Sequence, residues 1–167
     1  LASCRAVILA TLLPDPADEQ CPEAFRKTAA KLMKQFTGHD LSDPVNLRQA
    51  LLQFIADFAA WENRVKPLYM ETARQLVAAA HPDGKPLVLD PFAGAGSIPF
   101  EALRVGAEAF AGDLNPIPVL LNKVALEYLP RYGLDLAEAV QKWGQWVLER
   151  ARERLGKYYP ADEHGHT

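Results

Sequence analysis

The amino-acid sequence predicts an α/β protein. An N-terminal helical region is expected over residues 1–83. Over residues 84–167 we expect the first strand–helix–strand unit of an open parallel sheet, then a C-terminal helix. Three observations lead there. Apolar side chains recur at helical spacing through the first eighty residues, punctuated by Pro, Gly and Asp turns. At LVLDPFAGAGSIPFEALRVG the grammar changes to a short apolar run, a Gly-rich corner and a short helix. EAFAGD then supplies a second short apolar run that also ends in an acid, the order of a βαβ unit.

Each element has a local reason. Residues 1–13 are apolar almost throughout and close at the turn-forming PDP of 14–16. The second helix is expected over 22–36, with Pro22 in its first turn, where a missing N–H costs nothing. Asp43 caps the third, with Pro44 at its first position and Leu47, Leu51, Phe54, Ile55 and Phe58 along one face. A fourth helix follows the break at Trp61-Glu62-Asn63, with Asn63 as a cap and Val65, Leu68, Tyr69, Leu76 and Val77 on its buried side; HPDGKP ends it. Strands are expected at 87–89 and 108–113, around a helix that closes at Gly106. Asn115-Pro116 opens a helix over 116–128 that Pro130 should end. Asp135 and Glu138 stand in capping-box relation and open a last helix to about Leu155, with Leu136, Val140, Trp143, Val147 and Ala151 as its buried stripe.

Composition narrows the function classes. A hydrophobic fraction of 49% with 23% charged residues is that of a soluble globular chain, and no apolar run approaches the roughly 20 residues of a membrane span. The first dozen residues lack a signal-peptide cleavage site. Cys4 and Cys21 have neither metal nor disulfide-framework spacing and read as free thiols, so a cytoplasmic location is expected. The net charge of −3 gives no basic excess for nucleic acid, so any such contact needs a local patch. The chain opens at Leu1 with an apolar helix already under way and closes on YYPADEHGHT; from both ends we expect a longer natural protein. Two strands alone are also only part of a sheet, which leads us to expect more strands from a C-terminal continuation.

The corner at 90–97 can be matched to a ligand class. Nucleoside triphosphates require G-x-x-x-x-G-K-[ST], and no Lys-Ser or Lys-Thr follows here. Dinucleotides require a third glycine where Pro99 stands, and Asp90 would repel a pyrophosphate. S-adenosylmethionine carries an ammonium, a sulfonium, a carboxylate and a ribose diol. An acid ending the first strand, Asp90, suits its cationic amino-acid group. An acid ending the second, Asp113, suits the diol, whose two hydroxyls a carboxylate accepts together. Gly94 and Gly96 bare the backbone where the ligand must approach, and the helix opening at Ser97 turns its free N–H groups toward it. Pro91, Phe92 and Ala93 complete the corner, and Leu114 and Asn115 would flank the adenine. Asp113 and Asn115 can also act simply as helix caps.

DPFAGAGS resembles the cofactor motif of the amino-group DNA methyltransferases. More narrowly, CRAVILATLLPDP, WEN, LDPFAGAGSIPFEALRVG and GDLNPIPVLLNK resemble bacterial and archaeal proteins described as adenine-specific DNA methylases containing a zinc ribbon, and the resemblance runs through most of the chain. It implies a partial Rossmann-like methyltransferase sheet and S-adenosyl-L-methionine as cofactor. It also implies that Asp90, Phe92, Gly94 and Gly96 hold the methionine moiety and that Asp113 holds the ribose. The partner implied is DNA, bound by the full-length protein. Two parts of the family pattern are missing. No two prolines are adjacent anywhere, so the Pro-Pro-aromatic motif that binds a flipped base is not present; nor are the cysteines of a zinc ribbon. Both are expected after Thr167, and no catalysis is expected from this chain alone. A non-catalytic scaffold in a nucleic-acid or defence complex, and an RNA methyltransferase, are the alternatives.

Other residues invite functional readings and have plainer ones. His164 and His166 read as solvated loop residues, and His39-Asp40 has no nucleophile near it in sequence. LERARERLGK reads as a salt-bridged solvent face through Glu149–Arg152 and Glu153–Lys157. Trp143 and Trp146 read as one core residue and one covering a patch to be buried by the expected continuation.

Overall fold

The computed structural model describes residues 2–63 and 65–159. Its contacts part after Asn122, giving one compact unit over 1–122 and a second over 123–167.

Unit one begins with four helices: α1 (Ala2–Leu12), α2 (Glu23–Met33), α3 (Pro44–Ala59) and α4 (Pro67–Ala80). Asp43 does cap α3, its carboxylate accepting from the Val45 N–H at 3.2 Å, with Pro44 in the first turn. Asn63 caps in the other direction from the one expected. Its side chain donates to the Asp57 carbonyl at 2.7 Å and so closes the C-terminal end of α3, while Trp61–Asn63 forms a short 3-10 turn. α4 then starts at Pro67, and Val65 and Leu68 lie exposed instead of buried. The buried face of α4 is Thr72, Ala73, Leu76 and Val77. Thr72 is admitted because its hydroxyl accepts from Gln35 at 3.1 Å.

The core lies among these helices. Leu9, Phe25, Met33, Leu47, Phe54, Phe58 and Leu76 are fully or nearly fully buried, and Phe54 meets Phe36 edge-on with ring centres 4.9 Å apart. This core continues without a break into Ala102, Val105 and Ala107 of the following strand–helix–strand unit.

That unit consists of β1 (Leu87–Asp90), α5 (Ser97–Arg104) and β2 (Glu108–Ala111). The two strands pair in parallel, Leu87 opposite Glu108 through Asp90 opposite Ala111. Among the described residues they form a two-stranded sheet, so the chain is mostly helical with a small parallel βαβ element. Val88 and Ala109 face the helical core; Leu87, Leu89 and Phe110 are exposed. The second apolar run thus ends as a strand at Ala111, and Gly112 and Asp113 lead away from it.

A buried ion pair holds the unit to the helices. Arg5 of α1 grips Glu101 of α5 with two hydrogen bonds of 3.0 and 2.9 Å, and its third nitrogen donates to the Phe58 carbonyl at 3.1 Å. Arg104 adds a contact of 3.2 Å to the same carboxylate. Arg5 and Glu101 are 3% and 1% exposed, which is tolerable only because every charged oxygen is partnered.

α6 (Pro116–Asn122) closes the first unit. The expected stop at Pro130 does not occur. A π-helical turn over Lys123–Tyr128 runs into α7 (Leu129–Leu155), with Pro130 in the first turn of α7, where its missing N–H is harmless. Gly133 (φ 51°, ψ −126°) breaks α7 near its start, so its regular part begins close to the expected Asp135 and ends at Leu155 as expected. The stripe expected to be buried is not: Val140, Trp143 and Val147 are more than half exposed. Trp143 and Trp146 instead lie edge-to-face 6.0 Å apart, beneath Lys142 and Arg150. The periodicity is that of a packed helix, but no described residue of its own unit covers this face. On its charged side, among the described residues, Arg150 pairs with Glu153 at 2.8 Å in place of the expected Glu149–Arg152 and Glu153–Lys157.

Among the described residues, no helix is long and apolar enough to cross a membrane.

Candidate functional site

The two acidic segments singled out in the sequence come together at the carboxyl end of the parallel pair. Asp90 ends β1 and turns the chain by accepting from the Phe92 N–H at 3.1 Å. The Ala93 N–H donates to the Gly112 carbonyl at 2.9 Å, and the Gly112 N–H to the Asp90 carbonyl at 2.8 Å, so the strand pairing extends into the corner. Ala93 is buried, Gly94 and Gly96 take left-handed φ values of 51° and 78°, and α5 opens at Ser97.

Asp113 closes the corner. One of its oxygens accepts from the Gly94 N–H at 2.9 Å and the other from the Asn115 N–H at 2.8 Å. Those amide donors, Asn115 foremost and then Gly94, hold the Asp113 carboxyl below its ordinary value, so it is ionised near neutral pH. Asn115 in turn caps α6, accepting from the Ile117 N–H at 3.0 Å. The plainer cap reading is therefore realised for Asn115, whereas Asp113 makes a turn bond ahead of the helix and bridges two segments nineteen positions apart. Pro91, Phe92, Leu114 and Asn115 stand on the outside, Phe92 at 79% and Leu114 at 94% exposure, so the corner is an open ledge.

Sequence reasoning missed Asn122. It is 6% exposed and lies behind the corner. Its amide nitrogen donates to the Gly94 carbonyl and to the Pro118 carbonyl, each at 2.9 Å, while its buried oxygen has no partner. A signal was available: Asn122 is a polar residue two helical turns after Asn115, at the end of the otherwise apolar IPVLL.

The ledge brings an ionised carboxylate and open loop backbone together at one strand end. A Cβ built on Gly94 would meet nothing within 4 Å, so the loop backbone is open on that side. The Asp113 carboxylate already accepts from the Gly94 and Asn115 amides, with the Leu114 amide also beside it. Other concavities lie elsewhere. One of about 410 Å³ is lined by Phe36, His39, Asn46, Gln49 and Gln53, and another of about 420 Å³ lies over Leu87, Leu89, Leu103 and Phe110. Neither contains paired acids and bared backbone at a strand end, the arrangement on which a ligand site in a parallel sheet is built.

The remaining candidates have structural roles. Asp40 spends its carboxylate on the Ser42 N–H and hydroxyl, both at 2.9 Å, which hold its carboxyl below the ordinary value. Burial pushes the Cys21 thiol up, away from nucleophile chemistry. Among the described residues no three His, Cys, Asp or Glu side chains are grouped to hold a metal; His164 and His166 lie outside those residues.

Comparison of the chain with models of known protein families, with curated proteins and with solved structures finds no match.

Proposed function

We propose that this chain is the cofactor-binding part of an S-adenosylmethionine-dependent DNA amino-methyltransferase, with adenine N6 as the target. The observation that carries this reading is the Gly94–Asp113 bridge, which joins the acid–Gly–Gly corner to the second acid at one end of a parallel strand pair. The βαβ element is, on this reading, the first unit of a Rossmann-like sheet. Asp90 and the loop over Phe92, Gly94 and Gly96 would hold the methionine moiety, Asp113 the ribose, and Leu114 and Asn115 the adenine edge. S-adenosylmethionine supplies the electrophilic methyl group. The chain's own part is to fix the cofactor's orientation, the main contribution such a pocket can make to rate. The residues that would polarise the target base are not among those of this chain, so DNA binding and transfer belong to the full-length protein in the cytoplasm.

A second reading is favoured by the double engagement of Asp113: a methylase-like scaffold in which the acid only ties the loop. Isothermal titration with S-adenosylmethionine and S-adenosylhomocysteine separates the two. The proposed function requires binding that Asp113→Ala abolishes and that a 2′,3′-dideoxy analogue of S-adenosylhomocysteine also fails to reproduce. Folded protein that binds neither cofactor, in this chain and in the full-length protein alike, leaves the scaffold.

A further inference from the structure

We infer that Asn122 is a positioning residue for the ligand loop, setting the Gly94–Gly96 backbone from behind while Asp113 sets it from the side. The inference rests on the cofactor-binding reading for its ligand, and on geometry for the rest.

Gly94 is held at both of its backbone polar groups. Its N–H donates to Asp113 at 2.9 Å, and its carbonyl accepts from Asn122 at 2.9 Å. Both side chains come from the segment that leaves β2, so strand and helix together define two successive peptide planes of the loop. The second bond of the Asn122 amide, to the Pro118 carbonyl of its own helix, fixes the rotamer and leaves the side chain no free rotation. With the nitrogen committed to two carbonyls, the orientation of the amide is determined, and its oxygen must point at Gly96. There it is buried without a partner, and a Cβ on Gly96 would overlap that oxygen and lie 3.2 Å from Asn122 Cγ. Gly96 is therefore glycine for two reasons, its φ of 78° and the side chain behind it.

The unpartnered oxygen is informative. A buried carbonyl without a donor is unfavourable, and a leucine of similar volume would avoid that penalty. What leucine cannot do is donate to Gly94. The polar side chain is thus explained by the bond it makes to the loop, which turns the Gly94 carbonyl inward and away from the open face that a ligand would occupy.

The test compares wild type with Asn122→Ala and Asn122→Asp, with folding checked by circular dichroism. Asn122→Asp keeps the shape and loses the donor. In ¹H–¹⁵N spectra without ligand, the Gly94 and Gly96 amide signals should move in both variants while that of Gly106, at the far end of α5, stays. In titrations with S-adenosylhomocysteine both variants should bind roughly tenfold more weakly than wild type, about the effect of losing one buried hydrogen bond and a preset loop. Unmoved Gly94 and Gly96 signals, or wild-type affinity in Asn122→Asp, would overturn the inference. If wild type itself binds neither cofactor, the ligand-free spectra still decide whether Asn122 sets the loop.

Discussion

At the residue scale, the two loop glycines make different demands. Both have left-handed φ, but only Gly96 has a side chain pressed against it. Gly94→Ala should cost about 1 kcal/mol, the backbone penalty alone, whereas Gly96→Ala should cost about 3 kcal/mol because Asn122 must also be displaced. Urea denaturation of the two variants measures this, and equal losses would remove Asn122 from the account. The Asp113 carboxyl gives a second prediction. Its folded-state value is depressed by the Asn115 and Gly94 amides. A depressed group contributes stability that is complete above its unfolded value of about 3.9 and is lost as pH falls through the lower folded value. The Gly94 amide signal should therefore titrate with a midpoint below about 4; a midpoint above that contradicts the bridge.

At the scale of elements, the Arg5–Glu101 pair decides where α5 lies. It joins the first helix to the helix that follows the corner, across ninety-six positions of sequence. Arg5→Met leaves the Glu101 carboxylate buried with Arg104 as its remaining cation, and should cost about 3–5 kcal/mol. Replacing both partners, Arg5→Met with Glu101→Leu, should restore most of that, since the charge to be compensated is gone. Thermal denaturation of the single and double variants is the measurement; a double variant no more stable than the single would show that the pair's bond to Phe58 or its packing matters more than its charge. The helical region is in this sense part of the site's foundation: its core and the inner face of the βαβ element are one apolar cluster.

At the scale of the whole molecule, the most conspicuous property is how much apolar surface stays open. Leu87, Leu89 and Phe110 on the outer sheet face are each about 60% exposed, and Ile117 and Leu120 of α6 are more so. Sheets of this kind are ordinarily covered on both faces. Leu89→Lys and Phe110→Lys should change stability by less than about 0.5 kcal/mol, because nothing described packs there, and should reduce self-association in sedimentation velocity runs. A loss above about 1 kcal/mol in either variant would mean that the face is covered within the chain.

Local chemistry made much of this legible in the sequence. Asp43-Pro44 capped α3, the strand–corner–helix–strand order held, and the residues of both acidic segments met at one strand end, because caps, turns and short-range periodicity act over a few residues. What only the tertiary structure decided depends on partners far along the chain. Periodicity nominates Val65, just ahead of the fourth helix, Leu68 within it and the stripe of α7 as buried, yet a periodic apolar face is buried only where something covers it. Pro130 reads as a stop from its missing N–H, yet the π-helical turn runs on into α7 with that proline in its first turn. Arg5 against Glu101 and Asn122 behind Gly94 follow no local rule: each is a polar group whose place is set by the one distant partner that lets it be buried.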